Sequence, residues 1–494
     1  MFELVGLAGG PPDPKVRPRL QEALDKFAPA LAARAQANPV IRANALMPSA
    51  RFGIREEMKQ TYGFSWRSYV RGVSTTLDTV ENLRFGSKVT VALARIDQIE
   101  RSRITAGYTV NPARADDDNK LPNVVVVAAD HKGDIVRYFE TGETAAYFGA
   151  SVARNPLTGL YEPENDPRMI ASTGKIIAAV AIANTMRDTI NTPYLDTQAP
   201  EAGLETCARG GIARSGRRAV VAFACSLNSP LINRTALVGQ SRVLKIIDRL
   251  GFTMPPPDAV GHSVPPSTAV VLGQISGSPR RVHMMSSVVL SAMLKRGHTP
   301  VKLPTLVKSF DFTSRDAAAA ASGPRATGVI PSDVLKPEAV PLVRSLLEAP
   351  LCYTTGRKPA GTLRALSHWC AARRNDLRFH FAKTGTQVTT DPNSTVDVWT
   401  TGGLQFSNGA AYSYVVLVGT GSANEPWATS LHAAQVATPL LEVLLDDLKT
   451  HARENPQNHL LPPRSPAPSV PVAGVTGTLR KLTAGDEISR NLLQ

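Results

Sequence analysis

The most regular apolar stretch of the chain is Val124–Ala129, four valines followed by two alanines. β-Branched residues at that density predict a strand. The polar turn Asp130-His131-Lys132-Gly133 follows, then a second strand over Asp134–Phe139, so the pair reads as a hairpin. Ile170–Arg187 has another pattern. Its Ala, Ile and Val occur all round a 3.6-residue repeat, which predicts a helix buried on every side. Helical spacing returns over Arg218–Leu250, stopped by Gly251 and Pro255-Pro256-Pro257, and over Val282–Lys295, ending at Gly297. Farther on, Phe379–Lys383, Val396–Gly403 and Tyr412–Val418 predict three strands, and Trp427–Thr450 a long amphipathic helix. Two strands, many helices, three strands and one helix predict an α/β domain. Its antiparallel sheet is assembled from both ends of the sequence.

Other segments are less regular. Residues 10–84 read as mostly helical and polar, with helical spacing over Arg19–Ala37, and Val89–Gly107 as a short strand or helix. The run Ala115-Asp116-Asp117-Asp118-Asn119 marks a boundary, residues 140–165 read as loop, and Ala317–Ala321 as an exposed insertion. Pro462-Pro463 and Pro466–Pro471 mark a loose tail. The expected division is a lead-in or linker region over 1–120, the main domain over 121–447 and a Pro-rich tail over 448–494.

Composition narrows the class. Of 494 residues, 43% are apolar and 19% charged, which excludes wholesale disorder. Apolar runs such as Val124–Ala129 and Ile176–Ala183 fall far short of the roughly 20 residues that cross a bilayer. Met1–Gly10 lacks the features of a signal peptide. The expectation is a cytosolic protein or a fragment whose export element lies upstream. The net charge is +14, but no Lys/Arg run exceeds two residues and aromatics make up 6%. That argues against nucleic acid and leaves a diffuse field favouring anionic partners. Cys207, Cys225, Cys352 and Cys370 form no C-x-x-C pair, so a zinc ribbon is not expected. Local pairing, 207 with 225 and 352 with 370, is the simplest of three connectivities in an oxidising compartment. Four buried free thiols are the alternative.

The chemistry lies in three short motifs. Ser172-Thr173-Gly174-Lys175 is an S-x-x-K at the start of the buried helix. Residues three apart share a helix face, and a desolvated lysine can be the neutral base that activates a hydroxyl. The helix N-terminus adds partial positive charge where an oxyanion would form. A phosphate loop fails, because Ile176 follows the lysine and Met169 takes the leading glycine's place. Ser226-Leu227-Asn228 offers a hydroxyl and an amide together. Ser422-Ala423-Asn424 and Ser489-Arg490-Asn491 fit the same pattern, but only Ser226 falls between the other two motifs. Lys383-Thr384-Gly385-Thr386 ends a strand, with a cation and two hydroxyls suited to a carboxylate and a glycine that admits a close backbone. Each alone fits a structural role: a capping serine, a turn residue, a surface lysine.

In that order, S-x-x-K, S-x-N and K-T-G are the signature of penicillin-recognising serine enzymes. The chain resembles the transpeptidase domain of penicillin-binding proteins, of the class A or bifunctional kind, over about residues 121–447. Pro122–Val136, Ala224–Gly239, Gly273–Pro300, Gly361-Thr362 and Asp397-Val398-Trp399 have family counterparts. The resemblance implies a β-lactamase/transpeptidase-like α/β fold, an antiparallel sheet flanked by helices with an all-helical subdomain. It implies Ser172 as acylated nucleophile, Lys175 as its base and Ser226 as proton shuttle. Asn228 would hold the peptide, Lys383, Thr384 and Thr386 its carboxylate, and Gly385 the strand edge. The backbone N–H groups of Ser172 and Thr386 would form the oxyanion hole. The implied substrate is a peptidoglycan stem peptide ending in D-Ala-D-Ala, with β-lactams as acylating mimics and no metal or cofactor.

Departures are also visible. Gly174 is unusual within the first motif and would leave room beside the nucleophile. Ile176 replaces a common proline, and the E-D-x-x-F-x-x-H-x-G motif of a glycosyltransferase module is absent. The missing module and membrane anchor point to a truncated or divided chain that works outside the cytoplasm, membrane-associated in its full context. Serine β-lactamase and a non-catalytic penicillin-binding-like scaffold are the alternative readings. Asp397 and Trp399 are expected to be packing and turn residues, and His380 structural.

Overall fold

A computed structural model describes residues 48–62, 70–105, 123–141, 146–154, 161–165, 168–198, 207, 212–213, 216–294, 301–312, 329–330, 334–388, 394–419, 428–429 and 433–456. All lie in a unit over Met1–His459, and a second unit covers Leu460–Gln494. The expected helix over 19–37, the Ala-rich insertion and the tail beyond 456 fall outside the described residues, while 448–454, expected as the start of the tail, are the end of the last helix, with Leu448 and Ala452 in the core.

The described chain opens with helices α1 (Pro48–Tyr62) and α2 (Thr79–Thr105). The second settles the strand-or-helix alternative for Val89–Gly107. The hairpin is present as β1 (Asn123–Asp130) and β2 (Ile135–Glu140). Its turn is held by Asp130, whose Oδ1 accepts from the N–H groups of Lys132 and Asp134 at 2.8 and 3.1 Å, an Asx turn. Between 140 and 165, read as loop, the structure has a short hairpin of Ala150–Arg154 with Tyr161–Asn165.

Then come β3 (Arg168–Met169), α3 (Lys175–Thr185), α4 (Ala219–Ala224), α5 (Asn228–Ala236), α6 (Gln240–Leu250) and α7 (Pro266–Leu272). They are followed by β4 (Ser276–Gly277), α8 (Pro279–Met293) and α9 (Val340–Cys352). Strands β5 (Leu377–Val388), β6 (Ser394–Phe406) and β7 (Ala411–Gly419) and helix α10 (Ala433–Glu454) complete the order.

The main sheet runs β5-β6-β7-β1-β2, antiparallel throughout, so the last strands pair with the first hairpin. Successive side chains point to opposite faces, and Val124–Asp130 of β1 and all of β7 are buried because both faces are covered. Val124, Val126 and Ala128, with Tyr412, Tyr414, Val416 and Val418, share a core with Phe85, Val89, Ala92 and Ile96 of α2 and Leu440, Leu444 and Leu448 of α10. The other face carries α8, through Ser286 to Thr401 at 2.7 Å and Ser287 to Ser413 at 2.8 Å. A sheet covered on both sides has no polar face to show. Helix α2 precedes the span expected for the domain, yet Phe85, Val89, Ala92 and Ile96 are built into its core.

The all-helical part explains the uniformly apolar α3. It is packed by α5, α6, α7 and α9 together, and Ile176 through Ile182 are at most 3% exposed. Both local cysteine pairings form disulfides, Cys207–Cys225 and Cys352–Cys370, with Cα atoms 5.8 and 5.2 Å apart. No described helix is long and apolar enough to cross a membrane. The architecture is the expected one: an antiparallel sheet flanked by helices, with a helical subdomain.

Candidate active site

The first motif enters along β3. Strand β3 pairs with β4, and the amides of Ile170 and Ala171 donate to the carbonyls of Ile275 and Gly273 at 3.1 and 3.0 Å. The chain then turns sharply at Ala171, whose φ is +48°. Ser172 does not sit on the α-helix. It lies in a 3₁₀ turn, Ala171–Gly174, and α3 begins at Lys175. With three residues per turn, positions i and i+3 eclipse, so Ser172 and Lys175 align more closely than an α-helix would allow. Lys175 Nζ is 2.7 Å from Ser172 Oγ.

Gly174 leaves no cavity beside the serine, contrary to the expectation of extra room. A Cβ built there would stand 2.2 Å from the carbonyl oxygen of Val270 on α7. The glycine admits the α7 backbone.

The second motif caps a helix. Helix α4 ends at Ala224, the Leu227 amide donates to the Ala222 carbonyl at 2.9 Å, and the Ser226 amide to the Phe223 carbonyl at 3.2 Å. That is the paired bonding of a Schellman cap, whose left-handed position is usually glycine. Here it is Ser226, with φ +56°. A serine in this region carries a conformational cost of about 1–2 kcal/mol. Its hydroxyl lies 3.0 Å from Lys175 Nζ, and its carbonyl accepts from the same amine at 2.9 Å. Asn228 opens α5 and places Oδ1 2.6 Å from Lys175 Nζ. The preceding Cys225 is fastened to Cys207.

The third motif lies on the sheet edge. Lys383 Nζ is 2.8 Å from Ser226 Oγ and donates to the Thr384 carbonyl at 2.8 Å. Gly385 allows β5 to press on the Ala171–Gly174 turn: a Cβ there would stand 3.1 Å from the Thr173 nitrogen and 3.2 Å from the Ile170 oxygen. Thr386 follows, half-buried, opposite Val398 on β6. Five candidate side chains therefore meet: Ser172, Lys175, Ser226, Asn228 and Lys383. Lys175 and Lys383 are wholly buried, while Ser172, Ser226 and Asn228 keep partial exposure.

Other candidates fall elsewhere. His380 is buried, with ring nitrogens 3.0 Å from the Trp369 carbonyl and 2.8 Å from the Tyr414 hydroxyl. Burial pushes its pKa down to about 4, so it is a neutral packing residue at pH 7. Asp397 is not in a turn. It sits inside β6, fully buried, 2.6 Å from Arg168 Nη1. Arg168 carried no motif, so its one sequence signal was a cation four residues before the candidate nucleophile. Among the described residues no cluster of three or more His, Cys, Asp or Glu side chains is arranged to hold a metal ion.

No protein-family model and no curated protein matches the chain. Solved structures do. PonA1 of Mycobacterium tuberculosis in complex with penicillin V aligns with a TM-score of 0.49 at 16% identity, covering 81% of this chain and 92% of that one. The transpeptidase domain of Burkholderia pseudomallei penicillin-binding protein 3 aligns at 0.46 and 12% identity, covering 78% and 98%. That of the Legionella pneumophila FtsI4 D,D-transpeptidase aligns at 0.41 and 15%, covering 76% and 99%.

Proposed function

We propose that the chain is a penicillin-recognising serine acyltransferase, a peptidoglycan D,D-transpeptidase that works through an ester on Ser172. The observation that carries this reading is the surroundings of Lys175 Nζ. Four oxygens lie within 3.0 Å of it: Ser172 Oγ, Ser226 Oγ, Ser226 O and Asn228 Oδ1. The Ser226 carbonyl and Asn228 Oδ1 can only accept, so the two N–H groups of a neutral amine satisfy them and its lone pair is left for the Ser172 proton. Lys383 Nζ lies 2.8 Å from Ser226 Oγ, so that hydroxyl bridges the two amines.

In the proposed reaction Ser172 Oγ attacks the carbonyl carbon of the penultimate D-alanine as its proton passes to Lys175. The carbonyl oxygen becomes an oxyanion held by the N–H groups of Ser172 and Thr386. The C–N bond breaks, and the leaving amine takes a proton relayed from Lys175 through the Ser226 hydroxyl. An acceptor amine then displaces the serine ester and closes a cross-link. Asn228 would hold the stem peptide, and Lys383, Thr384 and Thr386 its terminal carboxylate, with Gly385 between them. A β-lactam would acylate the same serine, its ring nitrogen as the leaving group. Two disulfides suit an oxidising compartment, in keeping with work outside the cytoplasm. We take residues 121–447, with the core contribution of α2, as the acting unit.

Incubation with benzylpenicillin tests the reading. Intact mass should rise by one drug mass, and Ser172→Ala should show no rise. A wild-type protein that stays unlabelled, or labelling that persists in the variant, overturns it.

A further inference from the structure

We infer that the buried Arg168–Asp397 ion pair is a positioning element that sets the spacing between the two oxyanion donors, the N–H groups of Ser172 and Thr386. The inference rests on the function proposed above. Arg168 is 1% and Asp397 0% exposed, and Nη1 lies 2.6 Å from Oδ1. Each end of the pair is tied to one donor. From Arg168 the chain runs through β3 to Ser172 with little slack, because Ile170 and Ala171 are bonded to Ile275 and Gly273. Asp397 faces Gln387 across the β5–β6 ladder, one pair along from Val398 and Thr386. A guanidinium is a rigid planar donor with fixed directions, so the pair defines a distance that an apolar contact would leave soft.

The surroundings reserve space for it. Gly419 on β7 faces Asp397, and a Cβ there would stand 1.7 Å from Asp397 Oδ1 and 3.1 Å from Arg168 Nη1. Stability alone does not explain the pair. Two charges withdrawn from water are often replaced by apolar residues with no loss, and sometimes with a gain. What an apolar replacement lacks is direction. Trp399, on the same face of β6 and two residues on, faces Gly385, which itself touches the nucleophile turn. The pair thus sits where strand and turn are held against each other.

Saturation kinetics of benzylpenicillin acylation separate the rate constant of the chemical step from the non-covalent dissociation constant. The variant Arg168→Met with Asp397→Asn removes both buried charges and leaves neither uncompensated. It should melt cooperatively, bind within about threefold of wild type, and acylate about 10- to 100-fold more slowly, the scale expected from misplacing a reacting group or an oxyanion donor. A folded double variant that acylates within about threefold of wild type overturns the inference. So does one that loses binding and keeps the rate constant. Should the double variant not melt cooperatively, Arg168→Lys keeps both charges and loses the fork. It should slow the chemical step several-fold at unchanged binding, and no change overturns the inference. Wild-type protein that Ser172 does not link to the drug removes the underlying reading instead, before any variant is compared.

Discussion

The carbonyl oxygen of Val270 stands where the side chain of Gly174 would begin, 2.2 Å from a Cβ built on that residue. Gly174 has φ −58° and ψ −19°, a conformation any residue accepts, so sterics alone require the glycine. Its neighbour Lys175 makes the contacts to Ser172, Ser226 and Asn228. Helix α7 is thereby packed against the residue that precedes Lys175. Gly174→Ala gains about 0.5–1 kcal/mol of helix preference and loses about 1–3 kcal/mol to overpacking. The net expectation is a melting temperature lower by a few degrees and acylation slowed about tenfold, read by calorimetry and by fluorescent-penicillin labelling. A variant as stable and as fast as wild type would show that α7 retreats freely.

Much of the fold was legible because burial on two faces leaves a plain mark. Val124–Ala129 and Tyr412–Val418 read as strands since no position along them meets water, and α3 read as buried since four helices surround it. The site was legible in its residue types but not in its backbone. That Ser172 sits in a 3₁₀ turn, and Ser226 at the left-handed position of a cap, depends on Gly273 and Phe223 carbonyls that no local pattern announces. Gly174 read as spare room because Val270, 96 positions away in sequence, is invisible to any window. Arg168 and Asp397 were separated for the same reason.

Removing the amine and removing the relay should differ. Lys175→Ala takes away the group nearest Ser172 Oγ and should slow acylation by about 10²–10⁴. Ser226→Ala leaves Lys175 beside Ser172 but would break the relay proposed for the leaving nitrogen, and it removes the hydroxyl 2.8 Å from Lys383 Nζ. Its loss should be smaller with a strained β-lactam than with a peptide, because the peptide's amine is the poorer leaving group. Stopped-flow labelling of both variants checks the order. Equal losses would mean that the two residues act as one unit.

The disulfides should also be unequal. Each bridges positions 18 apart, and a loop of that size contributes about 3 kcal/mol in the chain-entropy model. Cys225 is the residue before Ser226, whereas Cys352–Cys370 ties the end of α9 to a turn by β5. Replacing either pair by serine should lower the denaturation midpoint similarly. Replacing Cys207 and Cys225 should in addition slow acylation. Midpoints by urea titration and labelling rates on the same samples give both readings.

Acid should destabilise the fold. Burial pushes His283 down to about 3, and His380 and His451 to about 4. The unfolded chain takes up protons at these residues near 6.5, while the native state refuses them, so stability present above that value is lost as the pH falls. Asp130 acts the other way. Burial raises its carboxyl to about 6, so the native state holds a proton that the unfolded chain releases near 3.8. Burial raises the Glu348 carboxyl as well, so three histidines stand against two carboxyls and leave one to two protons favouring the unfolded state between pH 6 and 4.5, roughly 1–3 kcal/mol per pH unit. Denaturation at pH 7 and pH 5 should show that slope, and His380→Gln should reduce it by about one proton. A flat profile would mean that these rings already titrate in the native state.

The step after acylation distinguishes a transpeptidase from a β-lactamase with the same first half. A lactamase needs a base that activates water against the ester. One group supplies it as a glutamate in an E-x-x-L-N segment between the second and third motifs. Here the glutamates of that interval are Glu338 and Glu348, followed by Ala-Val-Pro-Leu and Ala-Pro-Leu-Cys. Glu338 is exposed on a 3₁₀ turn, and Glu348 on α9 accepts from Arg344 Nε at 3.1 Å. Another group uses a carboxylated lysine with an S-x-V second motif. Asn228 stands in place of that valine, with Oδ1 2.6 Å from Lys175 Nζ. The amine that would need to carry the carboxylate is thus already engaged by an amide and two hydroxyls. Water without a base is a poor nucleophile, so the acyl-enzyme should persist. Nitrocefin should give a burst of one equivalent per protein, then turnover far below the common enzymatic value of about 10 s⁻¹. Sustained hydrolysis at ordinary rates would move the assignment to the lactamase, with the base then to be sought on elements flanking Lys175.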